Sequence, residues 1–346
     1  MTNVKSISLK PTLVGASVEF LNEEKMDCLV TQKGLPELIS QLLYYREEGK
    51  ELYPEIFILD DFELVKQMLP NVQFYKIGIG ERTKGTMLKA LKKCAPLTDN
   101  GWAIYILRNE ESFEYGLFRA GTSILSVSLS ETLIGEDMEE CKIILIRQIA
   151  ERLIEVKGNN AQNILVSYSN NDKIDSTPLK KQLLFIEKIV ENVDDKLKGP
   201  TINFLKKLFQ KVLKEGHGTL ACVIDNKTIV IPEKLSDGIY LNERIKIQKV
   251  IKELRDKKDL QANSKLEGQL SLICGMMQSD GITIFTDAAE VVSYNVFVKH
   301  PEEIINTKTN GGARSRTYLT LSNMIGEELK SAYIQSQDGK IETKYE

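Results

Sequence analysis

Several stretches of the chain repeat apolar residues at helical spacing. In "TINFLKKLFQKVLKEG" the positions Ile202, Leu205, Leu208, Phe209 and Val212 form one stripe, with Thr201 placed to cap the helix and Gly216 to end it. "NSKLEGQLSLICGMMQ" puts Leu266, Leu270, Ile273, Cys274 and Met277 on one face. In the first half, "PELISQLLYYREEG" and "MEECKIILIRQIAERLIEVKG" read as helices, and "MLKALKKCAPL" as a shorter one. Other stretches read as strands. "GWAIYILRNEESFEYGLFRAG" is a hairpin, and "GTLACVIDNKTIVIP" is a strand, a turn around Asp225 and Asn226, and a second strand ending at Pro232. "SDGITIFTD" and "SAYIQSQDG" are further strands, separated by a helix in "YLTLSNMIGEELK" that begins near Thr317.

Alternating helices and strands from residue 201 onward imply an α/β fold: a mixed β-sheet flanked by helices, preceded by a separate α/β N-terminal domain. The polar, turn-rich "SYSNNDKIDSTP" is the linker, with Thr177 and Pro178 opening a helix over 178–198. The expected division is an N-terminal sensor-like domain (1–175), a second domain (178–341) and a short tail (342–346).

Composition narrows the function classes. With 346 residues, 42% hydrophobic and 27% charged, the chain is globular in type and long enough for two domains. A net charge of -3 gives no global basic field, so wholesale attraction to nucleic acid or an anionic membrane is not expected. The charge in "VIKELRDKKDLQ" reads as a solvated helix end. Five scattered cysteines, Cys28, Cys94, Cys141, Cys222 and Cys274, lack zinc or redox spacing and read as reduced thiols of a cytoplasmic protein. The start, "MTNVKSISLKPTL", has no apolar signal core, and no run reaches the roughly 18 apolar residues of a membrane helix. Only two histidines, His217 and His300, are present, which excludes a multi-histidine metal centre. Trp102, Tyr105 and Tyr115 on the N-terminal hairpin read as a cross-strand aromatic core.

Candidate chemistry lies near the C-terminus. "TNGGARSRTYL" (309–319) follows a glycine pair with two arginines, Arg314 and Arg316. Glycine is costly to order, so its use beside two cations suggests backbone amides approaching a ligand. Guanidiniums bond phosphates in charge-assisted, bidentate fashion, and a helix starting near Thr317 adds a positive end. Upstream, Asp280 in "SDG" is a hard oxygen donor of the kind Mg²⁺ or Mn²⁺ uses beside phosphate oxygens. Singly, Asp-Gly is a common turn and Arg-Ser-Arg a common solvated loop; their order along the chain carries the signal.

That order, "GHGTLACVID", "SDGITIF", "GGARSRTYLTLSN" and "IQSQDGKI", resembles the diadenylate cyclase domain over residues 178–341. The family's motifs are an Asp-Gly-Ala triplet, a Gly-Thr-Arg-His-Arg-Ala loop running into a helix, and a later Ser-Glu pair. The N-terminal half is similar to the DACNV branch, in which such a module follows a sensor region. The resemblance implies that Asp280 binds metal and polarises the attacking ribose hydroxyl, with Gly281 and Ile282 completing the triplet. It implies phosphate binding by Gly312, Arg314, Ser315, Arg316 and Thr317, and further substrate contacts by Ser336 and Gln337. The implied ligand is ATP or a related adenine nucleotide, with Mg²⁺ or Mn²⁺ if catalytic. The implied reaction joins two ATP into cyclic di-AMP and two pyrophosphates across a face-to-face homodimer.

Four positions depart from the pattern. Ile282 replaces alanine, Ala313 threonine, Ser315 histidine and Gln337 glutamate. Losing an imidazole and a carboxylate removes groups that can carry charge. These departures favour a second reading, an inactive sensor of a nucleotide or cyclic dinucleotide that relays occupancy to a partner. A third reading is a purely structural scaffold.

Overall fold

The computed structural model describes all residues except 1–8, 44, 48, 99–100, 122, 136–141, 151–152, 161–162, 168–177, 216–217, 229–230, 258–259, 300–311 and 337–339. The chain divides into two compact units, Met1–Thr122 with Val127–Asn170, and Ser123–Ser126 with Asn171–Glu346. Most of the linker stretch lies outside the described residues.

The first unit runs α1 (Leu9–Glu23), α2 (Leu29–Leu42), β1 (Arg46–Glu47), β2 (Lys50–Glu51), β3 (Glu55–Leu59), α3 (Phe62–Met68), β4 (Gln73–Glu81), α4 (Lys84–Cys94), β5 (Ala103–Arg108), β6 (Ser112–Arg119), α5 (Leu129–Leu133), β7 (Ile143–Ala150), β8 (Leu153–Lys157) and β9 (Ile164–Ser167). Seven strands form a mixed sheet in the order β4-β6-β5-β3-β7-β8-β9, in which β3 and β5 are parallel. The expected hairpin is β5–β6, and Tyr105 and Tyr115 are buried within it.

The helix expected over "MEECKIILIRQIAERLIEVKG" is replaced by the antiparallel pair β7–β8. The reason is burial on both faces. Ile144 and Ile146 pack with α1, α2 and α4, while Ile143 and Leu145 pack with α3 and α5. A strand buried on both faces has no polar side to alternate with, so its apolar run imitates a helix. Arg147, buried within this strand, donates Nε to Glu155 Oε2 at 2.7 Å.

The second unit runs α6 (Pro178–Ile189), α7 (Asp195–Glu215), β10 (Thr219–Ile224), β11 (Asp237–Lys246), α8 (Ile247–Lys257), α9 (Leu260–Gln278), β12 (Ile282–Thr286), β13 (Glu290–Phe297), α10 (Ala313–Asn323), β14 (Ser331–Gln335) and β15 (Ile341–Tyr345). Its six-stranded sheet has the order β11-β13-β12-β10-β14-β15, with β10 and β12 parallel. The α/β class with a mixed, helix-flanked sheet is thus the observed one. Leu220, Cys222, Ile282, Ile284 and Ala332 face α10 through Leu321 and Met324. On the opposite face, Phe285 and Tyr333 meet Phe209 of α7, with ring centroids 6.2 and 5.3 Å apart.

Three local expectations need correction. The helix expected over 178–198 breaks after Ile189, and α7 starts at Asp195, not at a Thr201 cap. Thr201 lies inside α7 and donates its hydroxyl to the Leu197 carbonyl at 2.7 Å. Pro200 would normally interrupt such a helix by removing the amide that serves the Lys196 carbonyl. Arg255 of α8 donates Nη1 to that carbonyl at 2.6 Å instead. The hairpin expected after Asp225 finds no open edge on β10, because β12 and β14 pair with both its sides; Ile229 and Val230 of the expected second strand lie outside the described residues. Residues 342–345, expected as a tail, belong to β15 and pair with β14.

Candidate functional site

Strand register alone brings three motif segments together. Leu220 of β10 lies opposite Ile282 of β12 and Ile334 of β14, and Thr219 lies opposite Gln335. Gly218, Gly281 and Ser336 therefore sit at one end of the sheet. Gly218 and Gly281 both have positive φ, 102° and 91°, a region open to glycine with little strain. A Cβ on Gly281 would lie 2.8 Å from the Asn295 carbonyl carbon and 2.9 Å from the Val296 amide nitrogen, so this glycine also permits a close backbone approach.

The first turn of α10 reaches the same place. Arg314 Nη2 is 3.6 Å from Asp280 Oδ1, in an ion pair whose side chains are 43% and 86% exposed. A Cβ on Gly218 would meet the Arg314 guanidinium at 3.0 Å, so glycine here leaves room for the arginine. The pair is solvent-accessible, so its attraction is modest and open to competition from a stronger anion.

The helix begins earlier than the sequence suggests. It starts at Ala313 rather than near Thr317, with Gly312 as N-cap at φ -68° and ψ -169°. That backbone is open to any residue, so the left-handed freedom of glycine is not what Gly312 supplies. The Gly312 carbonyl accepts from the Ser315 amide at 3.1 Å and the Arg316 amide at 3.4 Å. Gly312 contributes no side-chain cap to the turn. The N-terminal turn of this eleven-residue helix presents partial positive charge to an approaching anion.

Arg314 and Arg316 consequently lie on a helix, two residues apart. At about 100° per residue they project from different sides. The expected pair of guanidiniums gripping one ligand is thus reduced to Arg314 beside Asp280, with Arg316 exposed further around the helix.

The other expected residues are distributed unevenly. Ser315 and Thr317 are half-buried in α10. Ile282 is fully buried in the core cluster facing α10, so its bulk is spent on packing. Ser336 is half-buried, and its amide donates to the Lys340 carbonyl at 2.9 Å while its hydroxyl accepts from the Lys340 amide at 3.1 Å. Gln337 lies outside the described residues, as do Gly311, His217 and His300. Gly218 was not singled out in the sequence, although the quoted "GHGTL" contained it.

The donor set for a metal is small. Among the described residues, no group of three or more His, Cys, Asp or Glu side chains could hold a metal ion. Asp280 alone fits a divalent cation whose remaining ligands are phosphate oxygens and water. Such a cation would neutralise phosphate charge. Among the described residues, no helix is long and apolar enough to cross a membrane, and Cys28, Cys94, Cys222 and Cys274 are free thiols.

No protein-family model, curated protein or solved structure matches the chain.

Proposed function

We propose that the second unit is an adenine-nucleotide-binding module of the diadenylate cyclase type. One observation carries the reading: Asp280 and Arg314, from two separate motifs, meet at 3.6 Å beside the N-terminus of α10. Arg314 and the first turn of α10 would hold the nucleotide phosphates by charge-assisted bonds. Asp280, released from Arg314 by the incoming phosphates, would turn to Mg²⁺ or Mn²⁺. If the module is catalytic, two ATP would condense to cyclic di-AMP with release of two pyrophosphates across a homodimer, and the setting is the ATP-rich, thiol-reducing cytoplasm. Burial of Ile282 in the core removes one argument against activity, because this substitution does not crowd the surface beside Asp280.

The second reading, a sensor that binds without turnover, is favoured by the divergence of Arg314 and Arg316 and by the single carboxylate. The deciding experiment incubates the protein with ATP and Mn²⁺ or Mg²⁺, resolves products by chromatography and mass, and repeats the assay with Arg314→Ala. Cyclic di-AMP that vanishes in the variant supports the enzyme. An ATP-dependent thermal shift without product, lost in the variant, supports the sensor. Neither product nor shift rejects both and leaves a scaffold.

A further inference from the structure

The opposite end of the second sheet carries a different charge arrangement. The start of α7, the end of β11 and one face of α8 enclose a cleft of about 800 Å³, lined by Lys196, Lys246, Lys249, Lys252 and Arg255. It lies beside Glu290, beyond the C-terminal end of β12, whereas Asp280 precedes the start of that strand. Five residues at about 3.3 Å each separate the two ends, so this cleft is distinct from the surroundings of Arg314.

The cleft's carboxylates are already committed or solvated. Asp194 accepts from the Lys196 amide at 2.9 Å, and Glu290 faces Arg244 at 3.2 Å and Lys246 at 3.8 Å. Asp256 is exposed near the end of α8. Lys249 and Lys252 are one turn apart on α8, and neither has a carboxylate partner among the described residues. A second cleft of about 1040 Å³ shares Lys246 and Lys249 and continues the concavity along α8. One of its walls is β11, which loses register with β13 between Tyr240 and Ile245, and the others are α8 and α9. Like charges held in a concavity focus their field and raise the local concentration of an anion.

We infer that this cleft is a second anion site, built for a short oligophosphate whose successive phosphates span Lys249, Lys252 and Arg255. Among the described residues, the lining of the 800 Å³ cleft contains no aromatic ring on which a base could stack, and Leu197 is the large apolar side chain there. Recognition is therefore of the phosphate chain itself. The inference stands whether or not Arg314 binds a nucleotide.

The test titrates inorganic tripolyphosphate calorimetrically into the full chain carrying Arg314→Ala and Arg316→Ala, which silences the other candidate site. Binding is expected, tighter than that of orthophosphate and weakening as salt rises. Adding Lys249→Gln and Lys252→Gln should weaken it about tenfold or more, while Lys249→Arg and Lys252→Arg should retain it. Both lysines are exposed, so the thermal midpoint without ligand should not move. Absence of tripolyphosphate binding, or equal affinity in the glutamine variant, overturns the inference.

Discussion

Lys330 Nζ lies 2.5 Å from Oδ2 of Asp287, a carboxylate with no solvent exposure. Asn192 Nδ2 donates to the same oxygen at 2.6 Å, and the Asn226 amide donates to Oδ1 at 2.9 Å. One buried acid thus ties together the loop before α7, the end of β10 and the approach to β14. Removing only the cation leaves a buried charge without its counter-ion, which costs more than removing both. Lys330→Met is expected to lower stability by about 2–4 kcal/mol. The double variant Asp287→Asn/Lys330→Met should recover part of that loss. Urea unfolding of the two variants checks it, and a single variant no worse than the double would contradict the linkage.

The same cluster sets a pH window. Partial burial works against the charge on Lys330, but hydrogen bonds to Asp287 and Glu191 outweigh it and hold its pKa above the ordinary 10.5. Partial burial likewise opposes the charge on Glu191, but hydrogen bonds from Lys330 and Lys188 hold its pKa below the ordinary 4.5. A raised lysine stabilises fully below its unfolded value and loses that contribution as pH climbs through its folded value. A lowered glutamate stabilises above its unfolded value and loses that contribution as pH falls through its folded value. The thermal midpoint should therefore be flat across neutral pH and drop at both extremes. Lys330→Gln should flatten the alkaline drop and, by removing one of the hydrogen bonds that lower Glu191, soften the acid drop as well; an unchanged alkaline limb would count against this assignment.

Two glycines of the candidate site should respond unequally to a methyl group. Gly281→Ala forces a Cβ to within 2.9 Å of backbone atoms at Asn295 and Val296, at a φ of 91°. A loss of more than about 1–3 kcal/mol is expected. Gly312→Ala meets nothing within 4 Å, and its φ of -68° suits alanine. It should cost less than about 1 kcal/mol, the small preference of an N-cap for glycine over alanine. Chemical denaturation of both variants distinguishes them.

That contrast also marks where the sequence was legible. The helical stripe ending in Leu208, Phe209 and Val212 and the stripe of α9 each carry a periodicity that burial on one face enforces, whereas the β5–β6 hairpin, buried on both faces, is marked by the polar turn between its two apolar runs. The strand β7 could not be told from a helix because Ile143 through Ile146 alternate between two cores and leave no polar face. Leu220 to Ile224 looked like half of a hairpin because nothing local reveals that β12 and β14, far along the chain, claim both edges. Asp280 and Arg314 were legible as chemistry, and register brings them together. Their separation from Arg316 depends on where α10 begins, which the cap-neutral "GGAR" does not announce. Asp287 carried no local signal at all.

The geometry of α10 places the two arginines on different sides of the helix. Arg314 faces Asp280 and should dominate phosphate binding, so Arg314→Ala should weaken ATP affinity by about ten- to a hundredfold, with a smaller effect from Arg316→Ala. On the proposed reading, Asp280 would compete with phosphate for Arg314 when no metal is present. Asp280→Ala should therefore tighten ATP binding in chelator and weaken it with Mg²⁺. Calorimetric titration in both conditions decides this, and a change of the same sign in both would remove Asp280 from the metal role.

In the first unit, Cys28 stands at the N-cap of α2 with Thr31 and Arg82 against its sulfur. Burial raises its pKa, but hydrogen bonds from the Thr31 side chain and amide, then the Arg82 guanidinium, outweigh that and leave it lowered. Cys94, Cys222 and Cys274 move the other way, pushed up by burial to about 11, 12 and 11. The thiolate is the nucleophile, so iodoacetamide should label the half-buried Cys28 well before those three in the native protein. Removing the guanidinium with Arg82→Ala withdraws one stabiliser of the thiolate, and the labelling rate of Cys28 should then rise at a higher pH than in the parent. Site-resolved mass spectrometry across a pH series reads both effects. Equal labelling of Cys28 and Cys222 would contradict the opposite shifts of the two thiols, and an unmoved pH profile in the variant would show that Arg82 does not act on the sulfur.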